Sequence, residues 1–192
     1  MNIDFRRISK LPENFLWFNE PEYRLEQGLK LVTRAETDFW QSTHYGFRRD
    51  DGHFLYSPWD GDFRIETSCH FDPVSQYDQC GLMVRVNCNH WIKCSVEYES
   101  DTLSRLGSVV TNYGFSDWAT QDIPSATKSM RYCITRKGKD FIVQYASARD
   151  EWRQMRIAHL HHCPTQVAIG LYACSPTGKG FTCQFDDLSI QG

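Results

Sequence analysis

Gln79-Cys80-Gly81-Leu82-Met83-Val84-Arg85-Val86-Asn87-Cys88-Asn89-His90-Trp91-Ile92-Lys93-Cys94-Ser95-Val96-Glu97-Tyr98 reads as two β-strands joined at a turn. Leu82 to Val86 and Trp91 to Tyr98 are rich in β-branched and aromatic residues. The Asn87-Cys88-Asn89-His90 segment between them supplies asparagines, which accept the backbone conformations of a tight turn. Side chains alternate across a strand, so Ile92, Cys94, Val96 and Tyr98 share one face while Trp91, Lys93, Ser95 and Glu97 share the other. If the two strands pair through this turn, Arg85 joins Lys93 and Glu97 on the second, polar face. Such a face is either a solvated surface or one row of a concave binding face.

The same period-two pattern recurs along the chain, separated by Gly, Asn, Asp or Pro turn signals. It is found at Phe63 to Phe71, Leu106 to Thr111, Met130 to Arg136, Phe141 to Ser147, Trp152 to Ile157, Gln166 to Cys174 and Gly180 to Leu188. Shorter runs lie at Tyr23 to Leu25, Leu29 to Thr33 and Phe54 to Tyr56. At Lys137-Gly138-Lys139-Asp140, Gly138 can take the positive φ of a tight hairpin loop, which makes Arg131 to Tyr145 a strand pair. Helical periodicity is scarce. About a dozen short strands with close turns predict an all-β, two-sheet antiparallel sandwich. No linker, charge block or repeat divides the chain, so one domain is expected over residues 1–192.

Composition narrows the functional classes. With 41% hydrophobic residues in 192 positions, the chain can bury a real core. Its 21 Lys and Arg against 24 Asp and Glu leave a formal charge of -3, which offers no general attraction to phosphate backbones or anionic lipid. Nucleic acid and membrane are therefore not expected partners. The basic pair Arg6-Arg7 is followed by Ser9, Lys10, Pro12 and Glu13 instead of an apolar signal core, and no run approaches the ~20 apolar residues of a membrane span. A cytoplasmic location is expected. On that basis the eight cysteines are expected to be free thiols, and no C-x-x-C supports zinc.

Five strings carry a resemblance: Thr37-Asp38-Phe39-Trp40-Gln41-Ser42-Thr43-His44-Tyr45-Gly46-Phe47, Asp51-Gly52-His53-Phe54-Leu55-Tyr56, Gln79 to Val86, Trp91 to Tyr98, and Val109 to Trp118. Together with Gly170 to Phe181 they resemble the regulation-of-enolase protein family, small bacterial and fungal proteins of the concanavalin A-like lectin/glucanase superfamily. The resemblance implies a jelly roll with one convex and one concave sheet, in agreement with the strand count. It leaves function open, since such folds serve as lectins, glycosidases and adaptors.

Three constellations could carry chemistry. The first is the acidic run Glu97, Glu99 and Asp101. Strand positions i and i+2 lie ~6.6 Å apart, so carboxyl groups leaning together could reach the ~5–5.5 Å of a retaining glycosidase. Glu99-Ser100-Asp101-Thr102 also reads as a turn, which would send the three apart. The second is a polar and aromatic surface of Arg85, Trp91, Lys93, Glu97, Asn112, Asp117 and Trp118, joined by Trp40, His44 and Tyr45. Sugars present apolar C–H faces rimmed by hydroxyls, and this set supplies an aromatic platform, donors and acceptors. The third is histidine chemistry. His44 and His53 flank an Asp-bearing loop and could act as general acid or base, and His159, His161 and His162 could meet a metal only adventitiously. Asp60, Asp62, Asp186 and Asp187 lack full calcium-loop spacing, so no cofactor and no metal is expected. The chain lacks a phosphate-binding Gly-rich loop and a G-x-S-x-G elbow. The expectation is a non-catalytic protein that binds a carbohydrate or polyhydroxylated metabolite on its concave face, with a glycoside-processing enzyme and a protein adaptor as alternatives.

Overall fold

The computed structural model describes residues 1–147 and 150–192. Its strands are β1 (Asn2–Asp4), β2 (Leu16–Phe18), β3 (Glu22–Leu25), β4 (Leu29–Val32), β5 (Phe39–Gln41), β6 (Arg48–Asp50), β7 (His53–Asp60), β8 (Phe63–Asp72) and β9 (Gln79–Asn87). They continue with β10 (His90–Tyr98), β11 (Leu103–Asn112), β12 (Phe115–Pro124), β13 (Ser129–Lys137), β14 (Asp140–Ala146), β15 (Arg153–His159), β16 (Gln166–Cys174) and β17 (Thr182–Gln191). Among the described residues no helix is long and apolar enough to cross a membrane.

The strands form two large antiparallel sheets that stack as a sandwich. One runs β12-β11-β10-β9-β16-β7-β2; the other runs β15-β14-β13-β8-β17-β4-β3, with β1 also on β17. The expected hairpins are present, β9 against β10 and β13 against β14. β12 is a strand that alternation does not reveal. Phe115-Ser116-Asp117-Trp118-Ala119-Thr120 and the residues after it are mostly exposed, because an edge strand needs no continuous apolar face.

The core forms where the alternation places it. Ile92, Cys94 and Val96 of β10, Leu82 and Val84 of β9, and Ile169 and Leu171 of β16 pack against Ile65, Tyr132, Ile134, Phe185 and Ile190 of the facing sheet. Each such side chain contributes roughly 1.5–3 kcal/mol of apolar burial. Gly170 permits the close approach of β16 and β7, since a Cβ there would lie 1.9 Å from the Leu55 carbonyl oxygen. All eight cysteines are free thiols, seven buried and Cys88 exposed.

The outer face of β10 is not an open surface. Trp91, Lys93, Ser95 and Glu97 are all buried, because the lobe formed by residues 33–52, with its small β5-β6 hairpin, folds over this sheet. Phe39 of the lobe lies 6.3 Å from the Trp91 ring and 6.4 Å from the Tyr172 ring, both edge-on. These rings form a second core with Phe54, Met83, Val109 and Cys174. The reading of Trp91 as a stacking platform is thereby corrected. Its ring is fully buried under Phe39, and its indole N–H donates to the Cys88 carbonyl at 3.1 Å.

Candidate functional site

The lobe covers only part of the sheet and leaves a cavity of about 370 Å³ beside it. β10 provides the floor with Lys93 and Glu97, and β9 provides Gln79, the cross-strand partner of Glu97. The lobe contributes Asp38, Trp40, Tyr45, Phe47 and Arg49; Trp118 of the edge strand β12 and Tyr77 complete the aromatic wall. Pro176 and Thr177 close the rim.

Both loops that bear the wall are fixed by hydrogen bonds. In the lobe, the Asp38 amide donates to Asp51 Oδ1 at 2.8 Å, and the Gln41 amide donates to Ser116 Oγ at 2.9 Å. Ser42 and His44 adopt positive φ values of 57° and 62° in the tight β5-β6 connection that bears Tyr45 and Phe47, two half-exposed rings on the cavity wall. On the opposite rim, buried Asp78 accepts from the amides of Val74 and Ser75, each at 2.8 Å, and from Ser175 Oγ at 2.5 Å. That places Tyr77, whose amide donates to the Tyr98 carbonyl at 2.6 Å. Each charge-assisted bond of this kind contributes about 1.5–3 kcal/mol.

The floor is an unusual arrangement of charge. Lys93 is 2% exposed, and its Nζ donates to Gln79 Oε1 at 2.8 Å and pairs with Asp38 Oδ1 at 3.4 Å. Tyr172 donates its hydroxyl to the same Gln79 oxygen at 3.0 Å. Burial disfavours the Lys93 ammonium, but the Asp38 and Glu97 carboxylates more than offset this and hold its pKa above the ordinary lysine value. Glu97 is 8% exposed. Burial pushes its carboxyl pKa up to about 7; Lys93 opposes the rise, while Asp38 and Glu99 reinforce it. Among the described residues, neither Glu97 oxygen receives a hydrogen bond, although a carboxylate can accept about four.

The remaining expected residues are scattered. Arg85 shares the face of Lys93 but stands outside the cavity. Its Nη2 pairs with Asp50 at 2.6 Å, tying the lobe to β9, and its guanidinium covers the Phe18 ring at 4.6 Å. Asn112 bridges the His159 carbonyl and the His161 amide, each at 2.9 Å, and does not line the cavity. Asp117 pairs with Arg156 at 2.7 Å. With His44, Phe115 and Ser116, Asp117 lines a shallower cleft that shares Trp40, Tyr45 and Trp118 with the main cavity. The acidic run stays together only in part: Glu99 is near enough for its charge to act on Glu97, whereas Asp101 is held apart by Tyr98. β10 ends at Tyr98, Glu99 is held by Arg105 at 3.1 Å and Gln76 at 2.7 Å, and Asp101 accepts from the Tyr98 hydroxyl at 2.6 Å.

His53 is structural. One ring nitrogen meets the Asn19 carbonyl at 2.5 Å, the other accepts the Arg34 amide at 2.9 Å, and burial lowers its pKa. His159 sits 2.6 Å from Asp140, with its ring 4.8 Å from His161. Among the described residues, no group of three His, Cys, Asp or Glu side chains could hold a metal.

Asp38, Gln79 and Tyr77 were not among the expected site residues. Gln79 was legible, because alternation from Arg85 through Met83 and Gly81 puts it on the face of Lys93 and Glu97. Asp38 and Tyr77 reach the cavity through loop geometry, for which the sequence holds no periodic signal.

Residues 17–192 match the family described as protein of unknown function, DUF1349. The chain belongs to this family. This DUF1349 protein is 34% identical to Regulation of enolase protein 1 of Saccharomyces cerevisiae over 178 residues, which span 91% of this chain and 87% of that one. A functionally unknown S. cerevisiae protein of solved structure matches 93% of this chain and 96% of its own, with TM-score 0.86 and 32% identity. Two more distant structures share the fold. The xylan β-1,4-xylosidase of Bacillus halodurans covers all of this chain with 39% of its own length, at TM-score 0.80 and 15% identity. The carbohydrate-binding module CBM66 of Bacillus subtilis aligns with 93% of this chain over 96% of its own, at TM-score 0.60 and 13% identity.

Proposed function

We propose that this DUF1349 protein binds a carbohydrate, without catalysis, in the cavity between the lobe and the β9-β10 floor. The observation that carries this reading is the pairing of aromatic walls, Trp40, Tyr45, Tyr77 and Trp118, with a floor of buried polar groups. A sugar ring stacks its C–H face on such walls and directs its hydroxyls to donors and acceptors like Lys93, Gln79 and Glu97. At about 370 Å³ the cavity falls in the ~300–1,000 Å³ range of small-ligand pockets and has room for a sugar ring. The match to a carbohydrate-binding module along nearly its whole length supports the reading at the level of fold. The test is a glycan array followed by thermal-shift titration of the hits. A ligand-induced rise in melting temperature that Trp118→Ala removes is expected; no hit, or a rise unaffected by Trp118→Ala, sinks the proposal.

One observation favours a second reading, glycoside processing. A carboxyl pushed to about 7 has the pKa of a general acid at neutral pH, and the carboxylate facing it through Lys93 is Asp38, not Glu99 or Asp101. Oligosaccharide turnover that Glu97→Gln abolishes while binding persists would establish this reading over the first. The name of the yeast relative supports a protein-partner role, which predicts capture of purified enolase that survives Trp118→Ala.

A further inference from the structure

Among the described residues, Glu97 is a floor group that receives no hydrogen bond from the chain. The cationic groups around it are engaged with other partners. Lys93 on β10 gives its N–H groups to Gln79 and Asp38, and Arg105 on β11 gives its own to Glu99 at 3.1 Å and Asp122 at 3.0 Å. At the rim, Arg49 pairs with Asp51 at 3.1 Å. The floor therefore sets two carboxylates, Asp38 and Glu97, against the single ammonium of Lys93. A neutral sugar could hydrogen-bond to Glu97 but would leave this excess in place. A ligand ammonium would supply the hydrogen bonds and also cancel the charge, and charge-assisted bonds are roughly twice as strong as neutral ones. The walls suit the same group. Trp40 meets Trp118 edge-on at 6.4 Å and Tyr45 at 5.4 Å, and such rings attract cations through their π-faces.

We propose that the sugar bound in this cavity is an amine-bearing one, with its ammonium seated on Glu97. This rests on the carbohydrate-binding reading and names its ligand class. The upward push on the Glu97 carboxyl, due first to burial and only then to Asp38 and Glu99 against the opposing Lys93, agrees with it, since a seated ammonium would relieve a carboxylate buried without a hydrogen-bond donor.

Three β-1,4-linked disaccharides test the inference by isothermal titration calorimetry at pH 7, because they differ only at C2: chitobiose bears ammonium, N,N′-diacetylchitobiose bears acetamide and cellobiose bears hydroxyl. Chitobiose is expected to bind at least about tenfold more tightly than either of the others. Glu97→Gln, confirmed as folded by its thermal melt, is expected to bring that ratio close to one. Equal affinities, or a preference that survives Glu97→Gln, overturn the amine assignment and leave carbohydrate binding intact. If none of the three binds while another glycan gives a Trp118-dependent hit, the amine assignment again falls alone. With no hit on the glycan array at all, the carbohydrate reading falls with it.

Discussion

Replacing Glu97 by Gln should stabilise the protein, and by an amount that depends on pH. Glu97 titrates near 7 in the folded chain against an ordinary 4.5. Between these values the folded state holds a proton that the unfolded state has released, so stability falls as pH rises, by about 1.4 kcal/mol per pH unit. The full penalty is about 3 kcal/mol above pH 7, and it disappears below pH 4.5. Gln has nearly the same shape and does not titrate. The variant's advantage over the parent should therefore grow by about 2–3 kcal/mol between pH 5 and pH 8, equivalent to roughly 5–10 °C in melting temperature for a chain of this size. Urea unfolding followed by tryptophan fluorescence, at both pH values and with m compared, measures this directly. A difference between variant and parent that is the same at pH 5 and pH 8 would refute the claim that Glu97 is a strained, uncompensated carboxyl. Stability given up at one buried side chain marks a site shaped for binding more than for folding.

Lys93→Met should cost about 3–5 kcal/mol by leaving Asp38 buried without its partner, and adding Asp38→Asn should recover most of that loss; additive effects in the double-mutant cycle would contradict the pairing. Gly170→Ala should destabilise by more than about 3 kcal/mol or prevent soluble expression, since its Cβ would meet the Leu55 carbonyl; a variant melting with the parent would show that the strands can spread. A thiol reagent should modify one cysteine quickly in the native protein, Cys88, and all eight after unfolding; fast reaction elsewhere would contradict the burial of the other seven.

Much of the fold was legible because the information for a strand is local. The alternation of Ile92, Cys94 and Val96 against Trp91, Lys93 and Glu97 assigned each side chain to a face, and the structure keeps that assignment. The turn at Glu99 to Thr102 was equally legible, and it carries Asp101 away to the Tyr98 hydroxyl while Glu99 stays on Arg105, opposite Glu97. β12 escaped because a solvent-exposed edge strand carries no apolar alternation. The site was legible in part. Lys93, Glu97, Trp40, Tyr45 and Trp118 line one cavity, whereas Arg85, Asn112 and Trp91 are committed to the lobe, a loop and the second core.

By itself, then, the sequence determined an antiparallel sandwich and the polar composition of one face of β10, since both follow from a two-residue period that any short window contains. Whether that face would lie open, fill with core or form a cavity was decided only by tertiary structure. The covering lobe, residues 33–52, lies some forty positions from β10 along the chain. It seats Phe39 over Trp91 and Asp38 on Lys93 while leaving Glu97 on the floor of a cavity. Where one packed segment ends over another depends on the fit of side chains brought together from distant parts of the chain, and periodicity within a strand carries no record of it.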